Sequence, residues 1–126
     1  MGIAQGPALF DTNIIIDLFS GRSIAKQTLE SYPPRHAISL ITWMEVMVGA
    51  KKYQQEQRTR NALNAFEVID ITQEIAERSV NLRQEYGIKL PDAIILATAQ
   101  IQRRELVTRN TKDFAGIPGV VTPYQL

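Results

Sequence analysis

Cysteine is absent from the 126 residues, and histidine occurs once, at His36. Those two shortages exclude disulfide frameworks, thiolate zinc sites, a cysteine nucleophile and histidine-rich metal centres. Charge of one sign is not in excess either, since 14 Lys and Arg against 13 Asp and Glu leave a net +1. Polybasic, histone-like binding of nucleic acid is thereby excluded, and any phosphate affinity must come from a local patch. No apolar run reaches the ~20 residues that a membrane span needs. The start, Met1 to Gly6, has neither the charge nor the apolar stretch of a signal peptide. The expectation is a soluble, cytoplasmic protein without a membrane partner.

What is present is an ordinary globular composition, 44% apolar and 21% charged. There is no internal repeat, low-complexity segment or linker, so the chain reads as a single domain over residues 1–126. A chain of this length buries about two-thirds of its unfolded surface. Residues 1–6 are expected to be flexible, being terminal, small and polar.

Pro7-Ala8-Leu9-Phe10 reads as a buried strand that stops at the polar turn Asp11-Thr12-Asn13. A helix through Ile14 to Phe19 follows, closed by Gly21. A second helix from Ser23 to Tyr32 runs into Pro33-Pro34, which must break it. His36 to Ile41 reads as a strand, and Thr42 as the N-cap of a helix over Trp43 to Ala50. That helix is apolar on all sides except at Glu45 and Gly49, so it should be buried nearly all round. Lys51 to Arg60 is polar and basic, a helix is expected from about Thr59 to Phe66, and Val68 to Ile71 reads as a strand or edge.

Thr72 opens an amphipathic helix that ends at Gly87. Leu90-Pro91-Asp92 starts the most apolar helix, which runs to about Arg103, with proline where the first turn tolerates it. Leu106 to Thr108 is a strand before the polar loop Arg109 to Phe114, and Val120 to Thr122 a last edge strand. Strands alternating with helices imply an α/β fold with a mainly parallel sheet flanked by helices.

In such folds the loops leaving the carboxyl ends of the strands build the site. Asp11 sits at the end of the first strand, and Thr108 to Asp113 follow a later one. Glu45 and Asp92 are each the lone acid near the start of an apolar helix. A carboxylate buried there without a partner costs several kcal/mol or titrates upward. Each residue also has a plain structural reading. Asp11 can cap the helix behind it, Asp92 can complement a helix dipole, and Glu45 can pair with an arginine. Asn110 and Asp113 fit a solvated turn. Asp17 shares no helical face with another suspect and reads as surface, His36 reads as a structural or exposed histidine rather than a ligand, and Trp43, Met44 and Met47 read as core or interface packing.

Together the acids say more. Asp11, Glu45, Asp92 and Asp113 come from four distant segments, and three of them stand at starts of helices expected to converge on the carboxyl edge of one sheet. An all-oxygen set suits a hard cation, Mg²⁺ or Mn²⁺, that keeps several waters and takes further ligands from phosphate.

Phe10-Asp11-Thr12-Asn13, the lone Glu45, Asp92 to Ala99, and Leu106 to Phe114 resemble PIN domains, and among them the VapC-like toxins of prokaryotic toxin–antitoxin pairs. The resemblance runs from about Ala8 to the C-terminus. It implies an α/β/α sandwich and a Mg²⁺- or Mn²⁺-dependent endoribonuclease that leaves a 5′-phosphate and a 3′-hydroxyl. It also implies a homodimer and inhibition by a cognate antitoxin. Carried over by motif, Asp11, Glu45 and Asp92 match the three central acids, and Thr12 the hydroxyl residue that supports the first.

The last loop departs from the pattern. Many members have acids at both places where this chain has Asn110 and Asp113, so Asp113 is taken as the fourth acid. Asn13, Thr108 and Asn110 are supporting candidates. Lys51, Lys52, Arg58, Arg60, Arg109 and Lys112 are candidates for gripping the RNA backbone, although a charge run is usually a solvated face. The competing reading is a non-catalytic PIN-like module that binds RNA or protein. A haloacid-dehalogenase-like phosphatase is disfavoured because Asn13 stands where it needs a second Asp.

Overall fold

In the computed structural model, which describes residues 6–126, eleven elements follow one another. They are β1 (Ala8–Phe10), α1 (Thr12–Phe19), α2 (Ser23–Glu30), β2 (Ala37–Ser39), α3 (Leu40–Lys52), α4 (Glu56–Leu63), β3 (Glu67–Ile69), α5 (Gln73–Tyr86), α6 (Leu90–Ile101), β4 (Glu105–Val107) and β5 (Val120–Val121). Apart from Gly6, the segment expected to be flexible lies outside the described residues.

All strands are parallel, in the order β3-β2-β1-β4-β5. The chain therefore winds from β1 outward through β2 to β3 on one side and places β4 and β5 on the other. Its direction reverses between β1 and β4, where open α/β sheets leave a crevice at the carboxyl ends of the strands.

Burial on both faces explains why these strands are short continuous apolar runs. Ala8 and Phe10 point to one face, with Ile14, Ile15, Leu29, Val46 and Leu63 from α1 to α4. Leu9 points to the other, with Ile75 and Leu82 of α5 and Ile95 and Leu96 of α6. The result is the expected α/β/α sandwich. Among the described residues no helix is long and apolar enough to cross a membrane.

Several local signals act as read. Thr72 caps α5 by accepting from the Ile75 N–H at 3.2 Å. Gly87 ends that helix at φ +69°, a conformation that costs glycine little. Pro91 stands in the first turn of α6.

Around α3 the expectations need correction. The strand expected over His36 to Ile41 is only Ala37–Ser39, and the helix begins at Leu40 rather than behind Thr42. Ser39 and Thr42 are both capping types, and it is Ser39 whose hydroxyl accepts from the Ile41 N–H at 3.2 Å. Thr42 lies inside the helix, fully buried. Nor is α3 buried all round, because Val48 is 71% exposed and Glu45 is exposed too. The helix α4 begins at Glu56, earlier than expected, since the polar run before Thr59 is already helical.

Candidate functional site

The register of the central strands builds the site first. Phe10 pairs with Val107, so the residues that follow, Asp11 and Thr108, emerge side by side at the switch point. Asp11 is 4% exposed and caps α1, its Oδ1 accepting from the Thr12 N–H at 2.7 Å. Its Oδ2 accepts from the Thr108 hydroxyl at 2.6 Å and from Asn13 Nδ2 at 3.3 Å. The capping reading of Asp11 is thus true without exhausting its role, because one carboxylate oxygen is turned to the crevice network.

Thr108 is saturated. While donating to Asp11, its oxygen accepts from Asn13 Nδ2 at 3.1 Å and from the Asn110 N–H at 3.0 Å, which uses its one donor and both lone pairs. The Asn13 amide is oriented in turn by Arg109, whose backbone N–H donates to Oδ1 at 3.1 Å.

Two more acids are placed by side chains from other elements. The Thr12 hydroxyl donates to Glu45 Oε1 at 2.6 Å and lies 3.0 Å from the buried Thr42 hydroxyl. In the last loop Asn110 and Asp113 hold each other. Asn110 Nδ2 donates to Asp113 Oδ2 at 2.9 Å, and the Asp113 N–H donates back to Asn110 Oδ1 at 3.0 Å. Asp92 stands half-buried in the first turn of α6.

Electrostatics ties the four acids together. Burial, and then the charges of Asp11, Asp113 and Glu45, push the Asp92 carboxyl up to about 6, with Lys89 opposing. Burial also raises Asp11 against the hydrogen bonds of Thr108 and Thr12, and the Glu45 charge adds to the rise. Among the described residues every ion pair lies elsewhere, at Asp17 and Glu67. The cluster is therefore a concentration of negative charge with no basic side chain paired to it. Its donors are all oxygen, the set that a hard divalent cation takes. Among the described residues no three His, Asp or Glu side chains are grouped so as to hold a metal ion.

Asp17 corrects the sequence reading. It is 4% exposed rather than on the surface, and it shares a face of α1 with Asn13 at i, i+4 spacing. Its carboxylate takes Arg109 Nε at 2.6 Å, Arg109 Nη2 at 3.1 Å and the Tyr124 hydroxyl at 2.7 Å. Burial pushes Asp17 up, but the hydrogen bonds of Arg109 and Tyr124 and the charges of Arg109 and Arg22 hold it below the usual carboxylate range. The polar spacing Asn13-x-x-x-Asp17 in a helix otherwise full of isoleucine was the available signal for this residue.

The basic candidates divide. Lys51, Lys52, Arg58 and Lys112 are exposed. Arg60 is exposed as well, and its guanidinium sits over the Trp43 ring, 5.4 Å from its centre. Arg109 is instead committed to Asp17 by two hydrogen bonds. A groove of about 300 Å³ between α1 and α3 is lined by Ile16, Phe19, Val46, Gly49 and Tyr53, with Glu45 on its wall. Met47 is buried, whereas Val48 and Ile24 are exposed.

Fold and site together define a three-layer α/β protein with an open, oxygen-lined acidic centre at its topological switch point. Residues 8–120 match the PIN domain family, and the chain belongs to it. It is 32% identical over 115 residues to Ribonuclease VapC1 of Methanocaldococcus jannaschii, an overlap covering 87% of this chain and 80% of that protein. Among solved structures it is similar to a chain of a toxin-antitoxin complex from Klebsiella pneumoniae. There the identity is 78% and the TM-score 0.91, over 94% of this chain and 99% of that one. A chain of VapBC2 from Rickettsia felis, solved bound to a DNA fragment from their promoter, is 26% identical with a TM-score of 0.76, over 90% and 95% of the two chains.

Proposed function

We propose that this chain is a Mg²⁺- or Mn²⁺-dependent endoribonuclease, the toxin of a type II toxin–antitoxin pair. The observation that carries the reading is the unpaired acidic cluster, in which burial and then the charges of Asp11, Asp113 and Glu45 push the Asp92 carboxyl up to about 6. Likeness to Ribonuclease VapC1 and to a chain of a toxin-antitoxin complex supports the activity and the partner.

A divalent cation, if bound here, would supply Lewis-acid chemistry toward water and the scissile phosphate. Asp11 and Asp92 would hold the cation, and Glu45 and Asp113 would complete its shell or orient the attacking water in line with the leaving oxygen. Thr108, Asn13 and Thr12 keep the Asp11 and Glu45 carboxylates aimed, and Asn110 does the same for Asp113. Among the basic candidates Lys51, Arg58 and Lys112 are exposed and would grip an RNA backbone, with Lys52 and Arg60 presented over the Tyr53 and Trp43 rings; Arg109 is held by Asp17.

The groove between α1 and α3 fits an antitoxin segment whose apolar side chains meet Ile16, Phe19 and Tyr53. A basic side chain reaching Glu45 from it would compete with the cation for the acids. A homodimer and a cytoplasmic location belong to the same reading. The deciding experiment treats a mixed RNA pool with purified protein in Mg²⁺, in Mn²⁺ and in chelator, beside Asp92→Asn. Metal-dependent cutting lost in the variant is expected. Intact RNA throughout, with both proteins binding it equally, overturns the reading in favour of a non-catalytic module.

A further inference from the structure

The network of buried Asp17 and Tyr124 with half-buried Arg109 takes no part in the acidic cluster, yet it holds the residue on which the cluster's supports converge. Arg109 lies between Thr108 and Asn110, each of which hydrogen-bonds a site acid by its side chain. One face of α1 clasps Arg109 twice. Asn13 accepts from its backbone N–H, and Asp17, one turn on, accepts from its guanidinium. Tyr124, 9% exposed near the C-terminus, closes the arrangement by donating to the same Asp17 oxygen that takes Arg109 Nε.

We infer that Asp17, Arg109 and Tyr124 are positioning residues, through which the C-terminal segment fixes the Asp11–Thr108–Asn13 geometry that a cation needs. Arginine suits the task, because its planar fork matches a carboxylate with two parallel bonds and so fixes direction as well as distance. A buried carboxylate left without its partner is also costly, so the network resists partial opening. The inference rests on the nuclease reading for the reaction it serves. It stands apart from that reading as a statement about geometry.

The test compares Arg109→Lys, which keeps the charge and loses the fork, and Tyr124→Phe, which removes one hydroxyl. Ile75→Val serves as a control for general destabilisation, being a buried residue of α5, a helix that supplies no site side chain. Five quantities are measured: melting temperature, Mn²⁺ affinity by calorimetry without RNA, hydrogen exchange of the amides at positions 109 and 110, and kcat and KM on RNA. Arg109→Lys is expected to lower Mn²⁺ affinity and kcat by about tenfold or more, the usual effect of losing a group that orients metal ligands. KM should stay within about twofold, with faster exchange at both amides.

Tyr124→Phe should act in the same direction and less strongly, and Ile75→Val should lower only the melting temperature. A rise in KM with Mn²⁺ affinity unchanged in Arg109→Lys would make Arg109 a phosphate contact and overturn the inference. Losses of Mn²⁺ affinity that follow melting temperature equally in all three variants overturn it too. Wild-type protein that neither cuts RNA nor binds Mn²⁺ defeats the nuclease reading instead. Amide exchange in Tyr124→Phe then decides the positioning role alone.

Discussion

Thr108 donates its hydroxyl proton to Asp11 Oδ2 at 2.6 Å, across 97 positions of sequence, because β1 and β4 are paired so that each strand ends beside the other. Thr108→Val keeps the shape of that side chain and removes the donor. A hydrogen bond to a charged group contributes about 1.5–3 kcal/mol, and stability in denaturant melts should fall by that much. Without the donor, burial pushes the Asp11 carboxyl further up. The acid limb of the cleavage profile should therefore move to higher pH. A profile and a melt both equal to wild type would show that the bond contributes neither.

Asp92 makes the acidic centre a source of instability when no cation is bound. Its carboxyl ionises near 3.8 in the unfolded chain and near 6 in the fold. The folded protein therefore keeps a proton that the unfolded chain has already released. The associated stability is fully present below 3.8 and is lost as pH rises through about 6. Asp92 is partly exposed, so solvent screening reduces the effect to about 1 kcal/mol, or a few degrees of melting temperature. In chelator the protein should melt higher at pH 5 than at pH 7, and Mn²⁺ should restore the loss at pH 7. Asp92→Asn should be the more stable protein at pH 7 in chelator while losing cleavage by about 100-fold or more. A variant less stable than wild type in those conditions would contradict the charge argument.

Much of this centre is legible in sequence, because Asp11, Glu45 and Asp92 each end or interrupt an apolar run, whereas Asp113 lies in a polar loop. Asp11 ends a strand of three buried residues, and Asp92 follows a first-turn proline in a helix whose later positions are nearly all buried. Thr72 and Gly87 mark the ends of α5 because capping and left-handed φ are local properties of those residue types. The start of α3 is not legible in the same way. Ser39 and Thr42 are equivalent as caps, and only the length of β2, set by the pairing of Ala37 to Ser39 with Glu67 to Ile69 of β3, selects the first. Asp17 is illegible for a different reason. Its partners Arg109 and Tyr124 lie 92 and 107 residues away, so the spacing from Asn13 hints at a shared polar face but does not name what buries it.

Glu45 separates chemistry from stability more cleanly than the other acids, because it is exposed and its one hydrogen bond to protein is from Thr12. Exposed substitutions away from caps and cores usually change stability by less than about 0.5 kcal/mol. Glu45→Gln should accordingly melt as wild type does, while kcat falls by about 10-fold to 100-fold through loss of a charge that orients the cation or its water. Single-turnover cleavage with saturating RNA measures this directly. Unchanged kcat with a raised KM would move Glu45 from the reacting centre to the groove between α1 and α3.

Asn110 faces Asp113 with a donor where many relatives of this kind would place a second carboxylate, and the reciprocal pair it forms keeps one Asp113 oxygen occupied. Asn110→Asp replaces that donor with an acceptor directly against the Asp113 carboxylate. Like charges at hydrogen-bond distance cannot both ionise freely, so one of the two should titrate upward and the cation-free protein should lose about 1 kcal/mol at pH 7. A divalent cation reverses the sign, since each added carboxylate strengthens the field it enters. Calorimetry should find Mn²⁺ bound more tightly in Asn110→Asp, or a second Mn²⁺ where wild type takes one, and the melting deficit should disappear at saturating Mn²⁺. If the deficit persists with Mn²⁺ bound, the Asn110–Asp113 pair serves to hold the loop from Arg109 to Phe114. Asp113 would then lie outside the set of acids that the cation contacts.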